Sequence, residues 1–138
     1  QFARPFDYSL GSVRAQMVHV LSVDNRWLAR VAGQPAPDRL DPDAYPSAAA
    51  LRADWVRLTA DQRRVVEALS DAQMANMISY DMPQRGGMKH TPRWQILAHV
   101  VNHGTDHRAQ ILSLLYQLGA PTVEQDLILY LWERPADQ

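Results

Sequence analysis

The residues best suited to chemistry are three histidines spaced four apart, His99, His103 and His107, within one apolar segment. Side chains four residues apart lie on the same face of an α-helix, with Cβ atoms about 5–6 Å apart, so two such imidazoles can bind one metal ion. Because a helix rises about 1.5 Å per residue, His99 and His107 are displaced by roughly 12 Å along the axis. All three cannot share one ion, and an H-x-x-x-H pair needs a further ligand from elsewhere in the chain.

The apolar pattern around these histidines indicates which pair faces the interior. At about 100° per residue, the apolar residues of the segment form one stripe: Leu97, Val100, Gly104, Ile111, Leu114, Leu115 and Leu118. His107 lies roughly 35° from the centre of that stripe and His103 lies at its edge, whereas His99 is turned well over 90° away. We therefore predict His103 and His107 as the metal-binding pair, with His99 beside the site or in solvent. The alternative is that both are hydrogen-bonded residues at the edge of the core.

Composition limits the kinds of function that are open to the chain. Its 138 residues fit one domain, residues 1–138. The 14 basic and 15 acidic residues give a formal net charge of −1, which provides no basic surface for nucleic acid. The sequence contains no cysteine, so metal ligands must be His or carboxylate, and any thiol chemistry must use a thiol from the substrate. No bilayer-length apolar run and no signal-like opening occur, so we expect a soluble cytoplasmic protein without membrane partners.

Apolar spacing and helix-ending residues predict an all-α bundle. Three long helices are expected at about 12 to 32, 47 to 69 and 92 to 118, with a short helix or extended arm at 124 to 133. Ser9 or Ser12 is the predicted N-cap of the first helix, and Thr91 of the third, with Pro92 at its first position. Residues 70 to 90 show a weaker pattern, with an extended stretch at 80 to 83, a loop at 84 to 87 and no convincing strand pattern. His90 is expected in a solvated loop.

The first predicted helix carries His19 and Asp24. His19 lies off the apolar stripe of that helix, so periodicity alone indicates a surface histidine. Asp24 follows five residues later and is turned by roughly 140° from His19, so the two do not share a face. The sequence therefore assigns no general acid or base. Four polar residues of the histidine helix could contact the site or substrate, or be ordinary solvated residues: Asn102, Asp106, Arg108 and Gln110.

Two long motifs resemble one known family. The segment from Gly11-Ser-Val-Arg14 through His19 to Gly33 resembles the second helix of the DinB/YfiT-like superfamily. The run His99-Val-Val-Asn-His103-Gly-Thr-Asp-His107-Arg-Ala-Gln-Ile resembles its signature helix, and the segment 126 to 131 also fits. The resemblance implies that His19, His103 and His107 bind one divalent metal ion. It also implies a four-helix bundle with up-down-down-up order.

The chain departs from that family pattern in three places. The usual leading helix is absent from these residues, which would leave apolar surface open, so we expect a homodimer. Asp106 stands where Tyr is common, and Ala109 where Gly is common. A carboxylate added near the site could change its charge and metal preference.

The resemblance also implies a class of reaction. Three neutral imidazoles leave coordination positions open, and a divalent ion lowers the pKa of a water or thiol bound there. Relatives include metal-dependent transferases of low-molecular-weight thiols such as bacillithiol or mycothiol, so an S-transferase acting on a small-molecule thiol and an electrophilic substrate is the first hypothesis. A metal-dependent hydrolase is the second. A non-enzymatic metal-binding stress-response protein is the third. Imidazole suits Zn, Ni, Cu or Fe, and we expect Zn or Ni.

Overall fold

The computed structural model describes residues 1–133, which form a helical protein with one small sheet. The elements in chain order are α1 (Val13–Val31), α2 (Ala48–Glu67), α3 (Asp71–Ala75), β1 (Met77–Met82), β2 (Gly87–Pro92), α4 (Arg93–Gln117) and α5 (Leu127–Trp132). The three predicted long helices are thus confirmed within a few residues. None of the helices in this part of the chain is long and apolar enough to span a lipid bilayer.

Side-chain caps fix the starts of α1 and α2. Ser12 has extended backbone angles and its Oγ accepts a hydrogen bond from the Ala15 amide at 3.0 Å, so Ser12 rather than Ser9 is the N-cap. Ser47 does the same for α2, accepting from the amide of Ala50 at 3.2 Å. Both helices therefore begin where a hydroxyl can accept from an amide that the first turn leaves unpaired.

The predicted N-cap of the histidine helix is wrong. The N-cap is one residue later than predicted, and no side chain caps the helix. Thr91 belongs to β2, where its Oγ1 lies 2.9 Å from the hydroxyl of Tyr80 on the neighbouring strand. The N-cap of α4 is Pro92, which makes no side-chain capping bond. The start of the helix is held by Arg93 instead, whose amide donates to the Asn76 carbonyl at 3.2 Å and whose Nε donates to the Val31 carbonyl at 2.9 Å.

A β-hairpin between α3 and α4 corrects the all-α prediction and the predicted loop position of His90. β1 and β2 pair antiparallel, from Met77 opposite Pro92 to Met82 opposite Gly87. Along β1 the less exposed residues Ile78, Tyr80 and Met82 alternate with exposed ones, which is the period of two typical of a half-buried strand. His90 lies on β2, exposed, with Nδ1 2.8 Å from the Ser79 hydroxyl.

Helix α1 is the centre of the packing and contacts both α2 and α4. One buried cluster joins α1 to α2 and the preceding segment: Val18, Leu21, Tyr45, Leu51 and Leu58. A second joins the end of α1 to the hairpin and to the start of α4: Val31, Ile78 and Ile96. Because α4 packs along α1, residues of the two helices that are distant in sequence are brought side by side.

Candidate metal centre

Helices α1 and α4 bring three histidines together. His19 on α1 and His103 and His107 on α4 each offer a ring nitrogen, and these nitrogens lie within 4.8 Å of one another. The ring centroids are 5.2 Å apart for His19 and His103, 4.6 Å for His19 and His107, and 4.4 Å for His103 and His107. His19 is half-buried against α4, in contrast to the surface position that periodicity indicated. The grouped residues are those that the family resemblance implied.

Burial keeps two of these imidazoles neutral. The pKa of His103 is lowered to about 4, first by burial and then by nearby His107, His19 and His99, with Asp106 acting in the opposite direction. Burial also lowers the pKa of His19, with smaller effects from His107 and Arg39. Both rings therefore carry free lone pairs at neutral pH, the form that binds a metal ion.

Within residues 1–133, the lone pairs of the triad have too few hydrogen-bond donors or cations to interact with. Nε2 of His19 faces Nε2 of His103 at 3.3 Å, and Nδ1 of His103 is buried without a hydrogen-bond partner in that range. A cation shared by the three rings satisfies lone pairs that otherwise face one another. The donor set fits a divalent ion such as Zn²⁺ or Ni²⁺, which imidazole binds well.

A buried glutamine orients His107. Gln16 is 0% exposed, and its Oε1 accepts from Nδ1–H of His107 at 2.6 Å. Its Nε2 donates to Ser9 Oγ at 2.7 Å and to Gln110 Oε1 at 2.9 Å. Because Nδ1 of His107 carries the hydrogen, Nε2 of the ring is the free lone pair available to a metal ion.

An exposed carboxylate sets the direction of this hydrogen-bond chain. Asp106 Oδ2 accepts from Gln110 Nε2 at 3.1 Å, and an ionised carboxylate can only accept. The Gln110 amide must therefore present its oxygen to Gln16, and Gln16 must in turn present its oxygen to His107. Two of the polar residues flagged in the sequence, Asp106 and Gln110, thus act on His107 through Gln16, which the sequence did not single out.

The other histidines stand outside the triad. His99 is exposed, with its ring 5.7 Å from that of His103 and 5.3 Å from that of Trp27, as expected for a residue beside the site. His90 belongs to the hairpin. Within residues 1–133 the grouped donors are three imidazoles with no carboxylate among them. A metal ion held by these three imidazoles alone would have coordination positions left for other ligands.

Comparison with known proteins identifies the family of the chain. The sequence matches the model of the DinB family over residues 1–138. The chain belongs to the DinB family. It is 35% identical over 75 residues to Protein DinB of Bacillus subtilis (strain 168), a match that covers 54% of this chain and 43% of that protein. The matched segment thus spans less than half the length of that relative.

One buried carboxyl of this DinB-family chain lies near Arg108. Asp24 on α1 has its Oδ1 buried with no hydrogen-bond partner in the described part of the chain. Burial raises the pKa of Asp24 to about 7, and the positive charge of Arg108 acts in the opposite direction. Arg108 itself folds back over buried Gly104, where an added Cβ would lie 2.8 Å from its Nη1. Burial therefore favours the protonated form of Asp24 well above the ordinary range of a carboxyl group.

A cleft of about 1020 Å³ lies beside the triad of this DinB-family protein. One wall is α1, which contributes His19, Val23, Trp27 and other residues between Ala15 and Arg30. The opposite walls are the segment 38 to 42 and the start of the hairpin turn at 81 to 84. Since His19 lines the cleft, a small molecule in it can reach the triad.

Proposed function

We propose that His19, His103 and His107 bind one divalent metal ion, Zn²⁺ or Ni²⁺, and that this DinB-family protein is an S-transferase for low-molecular-weight thiols. The observation that supports the proposal is the convergence of three ring nitrogens within 4.8 Å at the side of an open cleft. When bound by three neutral imidazoles, a divalent ion lowers the pKa of a thiol that reaches it.

The chain itself cannot supply the sulfur atom that an S-transferase reaction needs. With no cysteine in the sequence, the sulfur nucleophile must arrive on a small molecule. The thiol loses its proton to solvent, its sulfur supplies the electron pair for the new S–C bond, and the leaving group departs from carbon with the old bond pair. The cleft beside His19 can hold the thiol while its open side admits the electrophile.

The first test measures metal content and S-conjugation in protein purified without a chelating tag. We expect about one Zn²⁺ or Ni²⁺ per chain by elemental analysis, and metal-dependent conjugation of a small thiol with monobromobimane above the uncatalysed rate. His19→Ala, His103→Ala and His107→Ala should each lose most of the metal and the conjugation, because each removes one metal bond. His99→Ala is the matched control on α4 and should retain both.

The outcomes separate the alternatives. Full metal retention by His19→Ala, or equal loss in His99→Ala, contradicts the ligand assignment. A triad-dependent hydrolysis of p-nitrophenyl acetate without S-conjugation contradicts the transferase and supports a hydrolase. Metal binding by the triad with neither activity supports the non-enzymatic alternative.

We also propose that the chain forms a homodimer. Large apolar side chains are exposed on several elements: Val56 on α2, Val101 and Tyr116 on α4, and Leu127, Leu131 and Trp132 on α5. Val101 is 61% exposed and Trp132 is 72% exposed, although both occur in helices of a folded chain. Exposed apolar side chains in this number support an interface between two copies of the chain. The up-down-down-up four-helix order stays a prediction beside this proposal.

A further inference from the structure

We propose that the cleft beside His19 selects a thiol that carries a carboxylate, with the carboxylate bound by the arginines of the cleft and the sulfur directed to the triad. The inference rests on the proposed function and names its substrate class: a small anionic thiol rather than a neutral one. Three arginines line the cleft, Arg26, Arg30 and Arg39.

His19 and the three arginines line one cleft, and the arginines of α1 lie at increasing distances from His19. Residues 19, 22, 23, 26, 27 and 30 of α1 all line the cleft, which is the spacing of one helix face. The distance along the axis from His19 to Arg30 is roughly 16 Å at about 1.5 Å per residue. Arg39 lines the same cleft from the facing segment 38 to 42.

Two of the three guanidinium groups are already held in place. Arg26 donates through Nη1 to the carbonyl oxygen of Pro37. Arg30 donates to the carbonyl of Arg26 at 3.3 Å, and its guanidinium lies 4.8 Å from the ring centroid of Trp27 and 5.6 Å from that of Tyr80. Fixed guanidinium groups bind a carboxylate with little further loss of side-chain freedom.

Arg39 is the arginine with unused hydrogen-bonding capacity. It makes no hydrogen bond or ion pair with any residue in the range 1–133, and it lies in the segment that faces α1 across the cleft. Its guanidinium offers a planar pair of donors that matches a carboxylate. The acidic residues lining the same cleft are Asp38 and Asp81, so the lining charge remains positive by one.

The rest of the lining suits the carbon skeleton of a small molecule. Val23, Leu40 and Met82 supply apolar surface in the same lining as the arginines and His19. Ser22 is already used, because its Oγ accepts from the Leu40 amide at 3.0 Å and joins the two walls. The cleft therefore offers imidazole, apolar surface and guanidinium in one lining, which suits a small molecule that carries both a thiol and a carboxylate.

The first experiment compares two thiols on the Co²⁺-loaded protein, using the thiolate-to-Co²⁺ absorption band to measure binding. Mercaptosuccinate carries carboxylates and 2-mercaptoethanol does not. We expect mercaptosuccinate to bind at least tenfold more tightly, about the effect of one charge-assisted hydrogen bond. Arg39→Gln should remove most of that preference and leave 2-mercaptoethanol binding unchanged. Arg52→Gln, an exposed arginine on α2, is the matched control.

A second experiment tests the anion site without metal. Succinate, but not succinamide, should shift the NMR signals of the Trp27 indole N–H and of the Arg39 backbone amide in metal-free protein, and Arg39→Gln should abolish the shifts. Absence of a thiolate band with either thiol contradicts the proposed function, and the succinate result then decides the anion site by itself. Equal binding of the two thiols, a preference unchanged by Arg39→Gln, or no succinate-specific shift overturns the inference.

Discussion

Replacing Gln16 by Leu should weaken divalent metal binding about 10- to 100-fold, although Gln16 is not a metal ligand. Gln16 is fully buried and is the acceptor for Nδ1–H of His107 at 2.6 Å. Leucine has a similar volume and fills the same space, but it offers no acceptor. His107 then loses the contact that fixes both its ring orientation and its free Nε2.

The magnitude follows from what that contact does. A hydrogen bond behind a metal-binding imidazole is worth about 1.4–2.8 kcal/mol of metal-binding free energy, which is 10- to 100-fold in affinity. Ser9 and Gln110 lose the Gln16 amide in the variant but keep the hydrogen bond between them, so the main unsatisfied group is Nδ1 of His107. Gln16→Glu keeps an acceptor for that nitrogen and should retain most of the affinity.

Two measurements check this prediction. Competition with a chromophoric chelator gives the Zn²⁺ affinity, and long-range ¹H–¹⁵N NMR of the metal-free protein reports which nitrogen of His107 carries the hydrogen. Gln95→Leu, at an exposed position on α4, controls for the loss of a polar side chain. Thermal melts of each variant separate a folding defect from a site defect. Affinity within twofold of the parent in a folded Gln16→Leu variant, with the Nδ1–H tautomer unchanged, would refute the reasoning.

Three further predictions concern pH and assembly. Metal affinity should fall as pH decreases towards about 4 and below, because protons compete for the imidazoles and the lowered pKa values of His103, about 4, and of His19 move that competition below the ordinary histidine range. A chelator competition showing constant affinity from neutral pH to about pH 3 would contradict the histidine ligands. The native pKa of Asp24, about 7, is above its ordinary value of 3.8, so the native state holds a proton that the unfolded state has released, and stability should fall as pH rises from about 4 to 7. Asp24→Asn should flatten that part of the Tm-against-pH curve, and an unchanged curve would show that Asp24 ionises freely. Sedimentation at micromolar concentration should show a dimer, whereas a monomer independent of concentration would contradict the homodimer.

The sequence predicted the helices and part of the site because both depend on local spacing. Periodicity identified His103 and His107 as the inward-facing pair, and the structure places both in the triad. Ser12 was recognisable as a cap because its role depends on an amide only three residues away. Such features depend only on residues within one or two helical turns of each other.

The remaining features depend on contacts between distant residues. His19 is half-buried by packing against α4 rather than by the apolar stripe of its own helix, so periodicity misplaced it and only the family resemblance indicated its role. Gln16 is buried with partners on α4 that lie 91 and 94 residues away. The hairpin was missed although Ile78, Tyr80 and Met82 alternate with more exposed residues, because so short a run is ambiguous by periodicity and the pairing of β1 with β2 depends on contacts across the turn.

The triad has a consequence for how the chain is held together. Its ligands come from helices α1 and α4, and the His19–His103 contact spans 84 residues, a segment that includes α2 and the hairpin. An ion bound there joins the two ends of a long loop in the native state, and it leaves when the chain unfolds and the three rings separate. At free metal one hundred times the Kd, binding adds about 2.7 kcal/mol to the stability of the native state. The metal supply would then set the fraction of folded chain as well as the reactivity of the site, and a chelator would weaken both together.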